Sequence, residues 1–316
     1  MNKDLLSIND LSVEEMQIVF RRADEIRKDA KRYENLLKGR TLALIFEKPS
    51  TRTRVSFEVG MWQLGGKSIY MNWNDMQLSR GESIKDTTKV MERYVDGIVA
   101  RVYSHREVEE LSRNAKIPVI NGLSDLEHPC QVLADMYTIR EKKKVLKGLK
   151  LAYLGDGASN VCHSLMLACT KLGMDMYVAC PEKYSPNKEI LKQAEENSRK
   201  FWTTLKIVPK VAQAVTNADI IYTDTWVSMG EEEQAKKRKK DLRPYQLNSE
   251  VLKLAKKDCL VMHCLAAHRG QEITDEVIDG PNSVVFDQAE NRLHVQKALL
   301  TMMLREPPKQ VFRPFY

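Results

Sequence analysis

Residues 47–54, Glu-Lys-Pro-Ser-Thr-Arg-Thr-Arg, bring hydroxyls and two guanidiniums within five residues. They follow directly on the apolar run Thr41–Phe46. A short apolar run before a polar turn reads as a buried strand. Pro49 ends it, and Ser50 suits the N-cap of a helix starting near Thr51. The free N–H groups of that helix start would face the hydroxyls and Arg52. Helix N-termini bind phosphate in this way, and the planar fork of arginine matches phosphate oxygens. The chemistry is phosphate binding without a glycine-rich loop. The plainer alternative is a capped, basic, solvated first turn.

Other polar groups stand at comparable places. Pro129 fits a first helical position, which puts His128 near the N-cap. Its imidazole could donate to a carbonyl oxygen, with Gln131 three residues on along the same face. Asp125 is placed to orient His128; the alternative is a capping histidine in a surface turn. Gly155-Asp156-Gly157-Ala158-Ser159-Asn160 imitates a dinucleotide fingerprint after a strand, with Glu182 in the place of a ribose-binding acid. Asn160 stands where the third glycine belongs, so the match is partial. Cys264 closes another apolar run and reads as a small buried residue, not as a covalent nucleophile.

Short apolar runs alternating with helical patterns must position these groups. The first set is Thr41–Phe46, Ser68–Asn72, Gly97–Val102 and Ile117–Asn121. The second is Leu149–Gly155, Met174–Cys180, Ile220–Thr223, Cys259–Cys264 and Ser283–Phe286. Alternation of this kind predicts an α/β protein of two lobes, each a mostly parallel sheet flanked by helices. Ser12-Val13-Glu14-Glu15 is a capping box that opens an early helix. His128–Glu141 reads as a helix joining the halves, and Glu141–Lys144 as its frayed basic end. In open parallel sheets ligands bind at the carboxyl ends of strands. Ser50–Arg54, Arg101, Asn160, Asp224 and Cys264 all fall at such ends.

At 316 residues and 43% hydrophobic, the chain is long enough for two cores. No apolar run approaches a membrane span, and Met1-Asn2-Lys3-Asp4 lacks an apolar signal segment. Six scattered cysteines, with no C-x-x-C pair, suit reduced thiols in a cytoplasmic protein. The net charge of +7 is only modestly basic. The run Lys236–Lys240 follows Glu231–Glu233, so Glu232 with Lys236 and Glu233 with Lys237 fit a solvated helix better than a nucleic-acid site.

Four motifs in this order resemble those of the aspartate/ornithine transcarbamylase family. Ser50-Thr51-Arg52-Thr53-Arg54 resembles its carbamoyl-phosphate motif, and His128-Pro129-Cys130-Gln131 its second signature. Asp224-Thr225-Trp226-Val227-Ser228-Met229-Gly230 and His263-Cys264-Leu265 resemble the ornithine branch. Matching segments run from about Leu6 to about Leu300.

The resemblance implies carbamoyl transfer from carbamoyl phosphate to the δ-amine of ornithine, giving citrulline and phosphate. A carbamoyltransferase for putrescine or an acylated ornithine is the alternative. It implies a carbamoyl-phosphate domain of residues 1–132 plus 291–316 and an ornithine domain of 133–290. A last helix, about Asn291 to Arg305, would return to the first lobe. Arg52, Arg101, His128, Asp224 and Cys264 would be catalytic. Ser50, Thr51, Thr53, Gln77, Gln131, Leu265 and Arg292 would join the carbamoyl-phosphate contacts. Asn160, Ser228 and Met229 would join Asp224 and Cys264 around ornithine.

Aspartate-using relatives carry an Arg-rich segment here, and Thr223–Glu233 has none. The Gln77 loop would reach a neighbouring subunit's site, so the active form would be a homotrimer or a multiple of it. No metal or organic cofactor, no nucleic acid and no membrane is expected. One departure is Ala266, where the family usually has proline after a cis bond. A retained cis bond is the expectation.

Overall fold

The computed structural model describes residues 3–227 and 232–304. Among these residues nine strands form two parallel sheets. The first contains β1 (Thr41–Phe46), β2 (Lys67–Asn72), β3 (Gly97–Arg101) and β4 (Val119–Leu123), in spatial order β2-β1-β3-β4. The second contains β5 (Lys150–Leu154), β6 (Asp175–Ala179), β7 (Leu205–Val208), β8 (Ile220–Thr223) and β9 (Leu260–His263), in order β7-β6-β5-β8-β9. Strands buried on both faces read as continuous apolar runs, as β1 and β8 do.

Each sheet reverses its winding once. In the first, the chain moves from β1 out to β2 and then returns to place β3 on the other side of β1. In the second, it runs β5, β6, β7 and then places β8 on the free side of β5. A crevice opens at the carboxyl ends of the strands where winding reverses. Those crevices lie beside Phe46 and Arg101 in one lobe and beside Leu154 and Thr223 in the other, each pair in register.

Two helices tie the lobes together. The joining helix runs Pro129–Lys143 and the return helix Val285–Met303. They pack on each other, and the return helix also packs against the helices Val13–Lys28 and Thr51–Gln63 of the first lobe. One hydrophobic core therefore runs from Phe20 and Phe57 through Tyr137 and Leu299 to Tyr153 and Met166. The end of the return helix reaches β3, where a Cβ on Gly97 would lie 2.6 Å from Leu304 Cδ2. The expected capping box at Ser12 is present, with Ser12 and Glu15 each bonding the other's backbone.

Several expectations need correction. Ser283–Phe286 is not a strand: Ser283 makes one isolated bridge to Val261, and Val285 already begins the return helix. That helix therefore starts six residues earlier than expected; Arg305 lies outside the described residues. The edge strand β7 was not expected at all. The fourth strand begins at Val119, two residues later than expected. The basic end of the joining helix is helical through Lys143 and not frayed, because Lys142 pairs with Asp287 and Lys143 with Asp258. The Lys236–Lys240 run lies in the helix Ala235–Leu242, but Arg238 turns inward to Asp156 and the Trp226 carbonyl.

Candidate active site

Ser50 caps the Thr51–Gln63 helix as its spacing requires: its hydroxyl accepts from the Thr53 N–H at 3.2 Å. The first turn points into a cleft of about 390 Å³ between the lobes. Ser50, Thr51, Arg52 and Thr53 line one wall, with Arg101 from the end of β3 and Arg292 from the return helix. Arg54 does not take part. It pairs with Glu58 at 3.0 Å and lies over the Tyr70 ring.

The opposite wall comes from the second lobe: Asn160, Asp224, Thr225, Cys264, Leu265 and Ala266. His128 and Gln131 sit between the two sets, at the start of the joining helix. His128 occupies the N-cap position with Pro129 behind it, and its side chain makes no capping bond. The cleft thus joins both crevices of the sheet windings. A larger groove of about 890 Å³, lined by Arg27, Trp62 and His294 among others, contains none of the motif residues.

The cleft is cationic. Burial, then Arg292 and Arg52, lower Arg101 to about 10, so it stays charged at neutral pH. Burial and the three neighbouring arginines push His128 well below the usual histidine range, so its imidazole is neutral. Arg101 Nε and His128 Nδ1 are buried without a protein partner. Buried polar groups of this kind need a hydrogen-bond partner, and a polar ligand in the cleft would supply one. Arg292 is anchored from behind: Nη1 donates to Gln131 Oε1 at 2.6 Å and Nη2 to Thr53 Oγ1 at 2.9 Å.

On the other wall the Cys264 thiol donates to Asp224 Oδ1 at 3.0 Å. Burial, reinforced by Asp224, holds this thiol well above its usual range, so it is not a thiolate. Asp224 itself is raised by burial and accepts the Thr225 N–H at 2.8 Å. His263 Nδ1 accepts from the Leu265 N–H, so its Nε2 carries the proton toward Glu272. Asp224, His263 and Cys264 place ligand-type atoms within 4.8 Å of one another. Both ring nitrogens of His263 are engaged by protein groups, so the set reads as a hydrogen-bonded cluster. The Leu265–Ala266 bond is cis.

Most expected residues meet in this cleft. Gln77 does not line it; it opens a 3-10 turn, Gln77–Arg80. Ser228 and Met229 lie outside the described residues. Asp125 does not orient His128. Its carboxylate accepts the His105 N–H at 2.8 Å. The fingerprint-like loop serves packing: a Cβ on Gly157 would lie 2.7 Å from the Tyr184 carbonyl. Asn160 lines the cleft while its amide donates to the Ser124 carbonyl at 2.6 Å. Lys48, Thr225 and His268 line the cleft unforeseen. Lys48 lies in the stretch 47–54 and Thr225 in the motif that begins at Asp224, though neither was singled out; His268 has no such signal beyond lying four residues after Cys264.

Fold and site together define a two-lobed protein whose cleft presents a cationic wall from one lobe and a carboxylate and a thiol from the other. Residues 3–141 match the aspartate/ornithine carbamoyltransferase carbamoyl-P binding domain, and residues 147–303 the Asp/Orn binding domain of the same family. The chain is 54% identical to an ornithine carbamoyltransferase of Pyrococcus horikoshii over 304 residues, 96% of each protein. The structure of an ornithine carbamoyltransferase from Pyrococcus furiosus superposes with a TM-score of 0.92 at 53% identity, covering 95% of this chain and 96% of that one. An anabolic ornithine carbamoyltransferase from Campylobacter jejuni superposes at 0.91 with 38% identity, covering 96% and 99%. The chain belongs to the aspartate/ornithine carbamoyltransferase family.

Proposed function

We propose that this protein transfers the carbamoyl group of carbamoyl phosphate to the δ-amine of L-ornithine, giving L-citrulline and phosphate. The observation that carries the reading is the convergence of three arginines and a capped helix start on one wall of a cleft whose other wall holds Asp224 and Cys264. The phosphate is held by Ser50, Thr51, Arg52, Thr53 and Arg101, with Arg292 behind them. His128, Gln131 and the Leu265 carbonyl orient the carbamoyl group. Asn160, Asp224, Cys264 and the Ser228–Met229 loop receive ornithine, with Asp224 pairing its α-ammonium.

The chemistry balances without further reactants. The neutral δ-nitrogen attacks the carbamoyl carbon, a C–N bond forms, and the C–O bond to phosphate breaks. One proton passes from the nitrogen to the departing phosphate. A cationic cleft disfavours the ammonium form of the δ-amine and so promotes attack. Arg52 and Arg101 stabilise charge on the oxygen of the tetrahedral intermediate, worth roughly 3 kcal/mol per donor in comparable sites.

Residues 1–132 with 291–316 form the carbamoyl-phosphate domain in this reading, and 133–290 the ornithine domain. The Gln77 loop completes a neighbour's site, which makes the working form a homotrimer or a multiple of it. The cytoplasm is the proposed location; among the described residues no helix is long and apolar enough to cross a membrane. The test is citrulline formation by the purified protein from carbamoyl phosphate and ornithine. Absence of citrulline with a folded protein overturns the reading.

A further inference from the structure

Behind the cleft, three donors converge on one buried carboxyl, that of Asp135: one from its own helix and two from distant segments. Gln131 Nε2 and Gln288 Nε2 each donate to Oδ1 at 2.8 Å, and the Tyr222 hydroxyl donates to Oδ2 at 3.0 Å. Gln288 also accepts the His263 N–H at 3.0 Å through its oxygen. Asp135 is fully buried and does not itself line the cleft, which it touches only through Gln131.

The consequence falls on Gln131. A carboxamide has a donating end and an accepting end, and its neighbours decide which way it points. Asp135 takes the NH₂ end. Arg292, a pure donor, takes the oxygen end at 2.6 Å. Gln131 therefore turns its oxygen to the side where Arg292 lines the cleft. Burial pushes Asp135 up to about 7, but a proton on Oδ2 leaves Oδ1 an acceptor for both amides. The orientation of Gln131 is the same in either state.

We infer that Asp135 is a positioning residue that sets donor specificity: it holds Gln131 with its oxygen forward, so that the site accepts the N–H of a carbamoyl group and rejects an acyl methyl in the same place. The inference rests on the reading of Gln131 as a carbamoyl contact. Acetyl phosphate is the natural probe, because it replaces the NH₂ of carbamoyl phosphate by CH₃ at nearly constant shape. Gln131 Oε1 keeps its Arg292 partner in either case, but its second lone pair, turned to that position, is left without a donor when the methyl arrives.

The experiment measures KM and kcat for carbamoyl phosphate and Ki for acetyl phosphate as a competitor, at saturating ornithine. The selectivity ratio is Ki for acetyl phosphate over KM for carbamoyl phosphate. Asp135→Ala and Asp135→Leu free the Gln131 amide and should lower this ratio at least about tenfold, with KM for ornithine within about threefold of wild type. Asp135→Asn keeps an acceptor oxygen for both amides and should retain the ratio. Tyr222→Phe removes the donor to Oδ2 and an acceptor of Gln288 Nε2, neither of them a contact of Gln131, so it should cost stability and leave the ratio unchanged.

An unchanged ratio in a folded Ala or Leu variant overturns the inference, and so does a lost ratio in the Asn variant. Where Ala and Leu do not fold, the Asn variant decides alone. Gln131→Leu separates the two levels. If it keeps the wild-type ratio, Gln131 is not the carbamoyl contact and the underlying reading fails. If it loses the ratio while Asp135→Ala keeps it, only the role of Asp135 fails.

Discussion

Glu127 precedes His128 and is 1% exposed, between the 3-10 turn Ile8–Asp10 and the helix Asn160–Lys171. Its Oε2 accepts from the Ile8 N–H at 3.1 Å and the Ser164 hydroxyl at 3.0 Å, and that hydroxyl receives the His128 N–H at 2.9 Å. Burial is the largest influence and outweighs these donors, raising the carboxyl from 4.5 to about 7. The folded state therefore holds a proton that the unfolded chain releases between about pH 4.5 and 7. Stability from this group is fully present below the unfolded value and is lost as pH rises through the folded one. At 1.36 kcal/mol per unit the loss at pH 8 is about 3 kcal/mol.

Glu127→Gln removes the titration while keeping an oxygen to accept from Ile8 and Ser164. Its melting temperature relative to wild type should rise between pH 5 and pH 8, by on the order of 5 °C for a chain this long. Activity should stay within about threefold, because the His128 N–H retains its partner. Thermal melts of both proteins at pH 5, 6, 7 and 8 provide the measurement. A difference between the two proteins that is the same at every pH refutes the reasoning, since any effect of the substitution other than the lost titration lacks that pH dependence.

Arg52→Ala should lose turnover more than carbamoyl-phosphate KM, by roughly 100-fold in kcat, because Arg52 faces charge that develops in the transition state. A near-normal kcat in steady-state assays would remove the central claim about this wall. Ornithine should be preferred to putrescine by at least about tenfold in kcat/KM, about 1.4 kcal/mol, since putrescine keeps the ammonium that Asp224 pairs but lacks the α-carboxylate that the Ser228–Gly230 segment receives in this reading. Equal use of putrescine in a side-by-side acceptor assay contradicts that role. Mixing an inactive Arg52→Ala protein with an inactive deletion of the Gln77 turn should restore part of the activity through sites shared between subunits. Sedimentation should show a trimer or a multiple, and a fully active monomer defeats both expectations.

The parts of this fold that could be read from the sequence are those whose burial leaves an apolar trace. β1 is buried along nearly all its length, so Thr41–Phe46 stands out as a run. β7 is a short edge strand with the exposed Lys206 inside it, and leaves almost none. The return helix was read in its place but its start was misread, for a different reason. It buries Gln288, Asn291, Arg292 and Gln296 along with Val295 and Leu299, so its inward face is half polar and breaks the apolar rhythm of a core helix. Those polar residues are buried because partners meet them: Gln288 faces Asp135 and Tyr222, Asn291 faces Thr138, and Arg292 faces Gln131 and Thr53.

The cleft divides along the same line. Its walls were legible because parallel sheets deliver polar groups at strand ends: Arg101 ends a strand, and Arg52, Asn160 and Asp224 follow strands, that flank the two points where winding reverses. Its floor was not. Asp135 sits in Val132-Leu133-Ala134-Asp135-Met136, where one acid in a helix reads as a solvent-facing position. Only the approach of Tyr222 and Gln288, 87 and 153 residues further along the chain, turns it into a buried acceptor. Local pattern thus reports which groups face the ligand. What holds them in orientation comes from chain segments that meet only in the fold, and no spacing along the sequence carries that information.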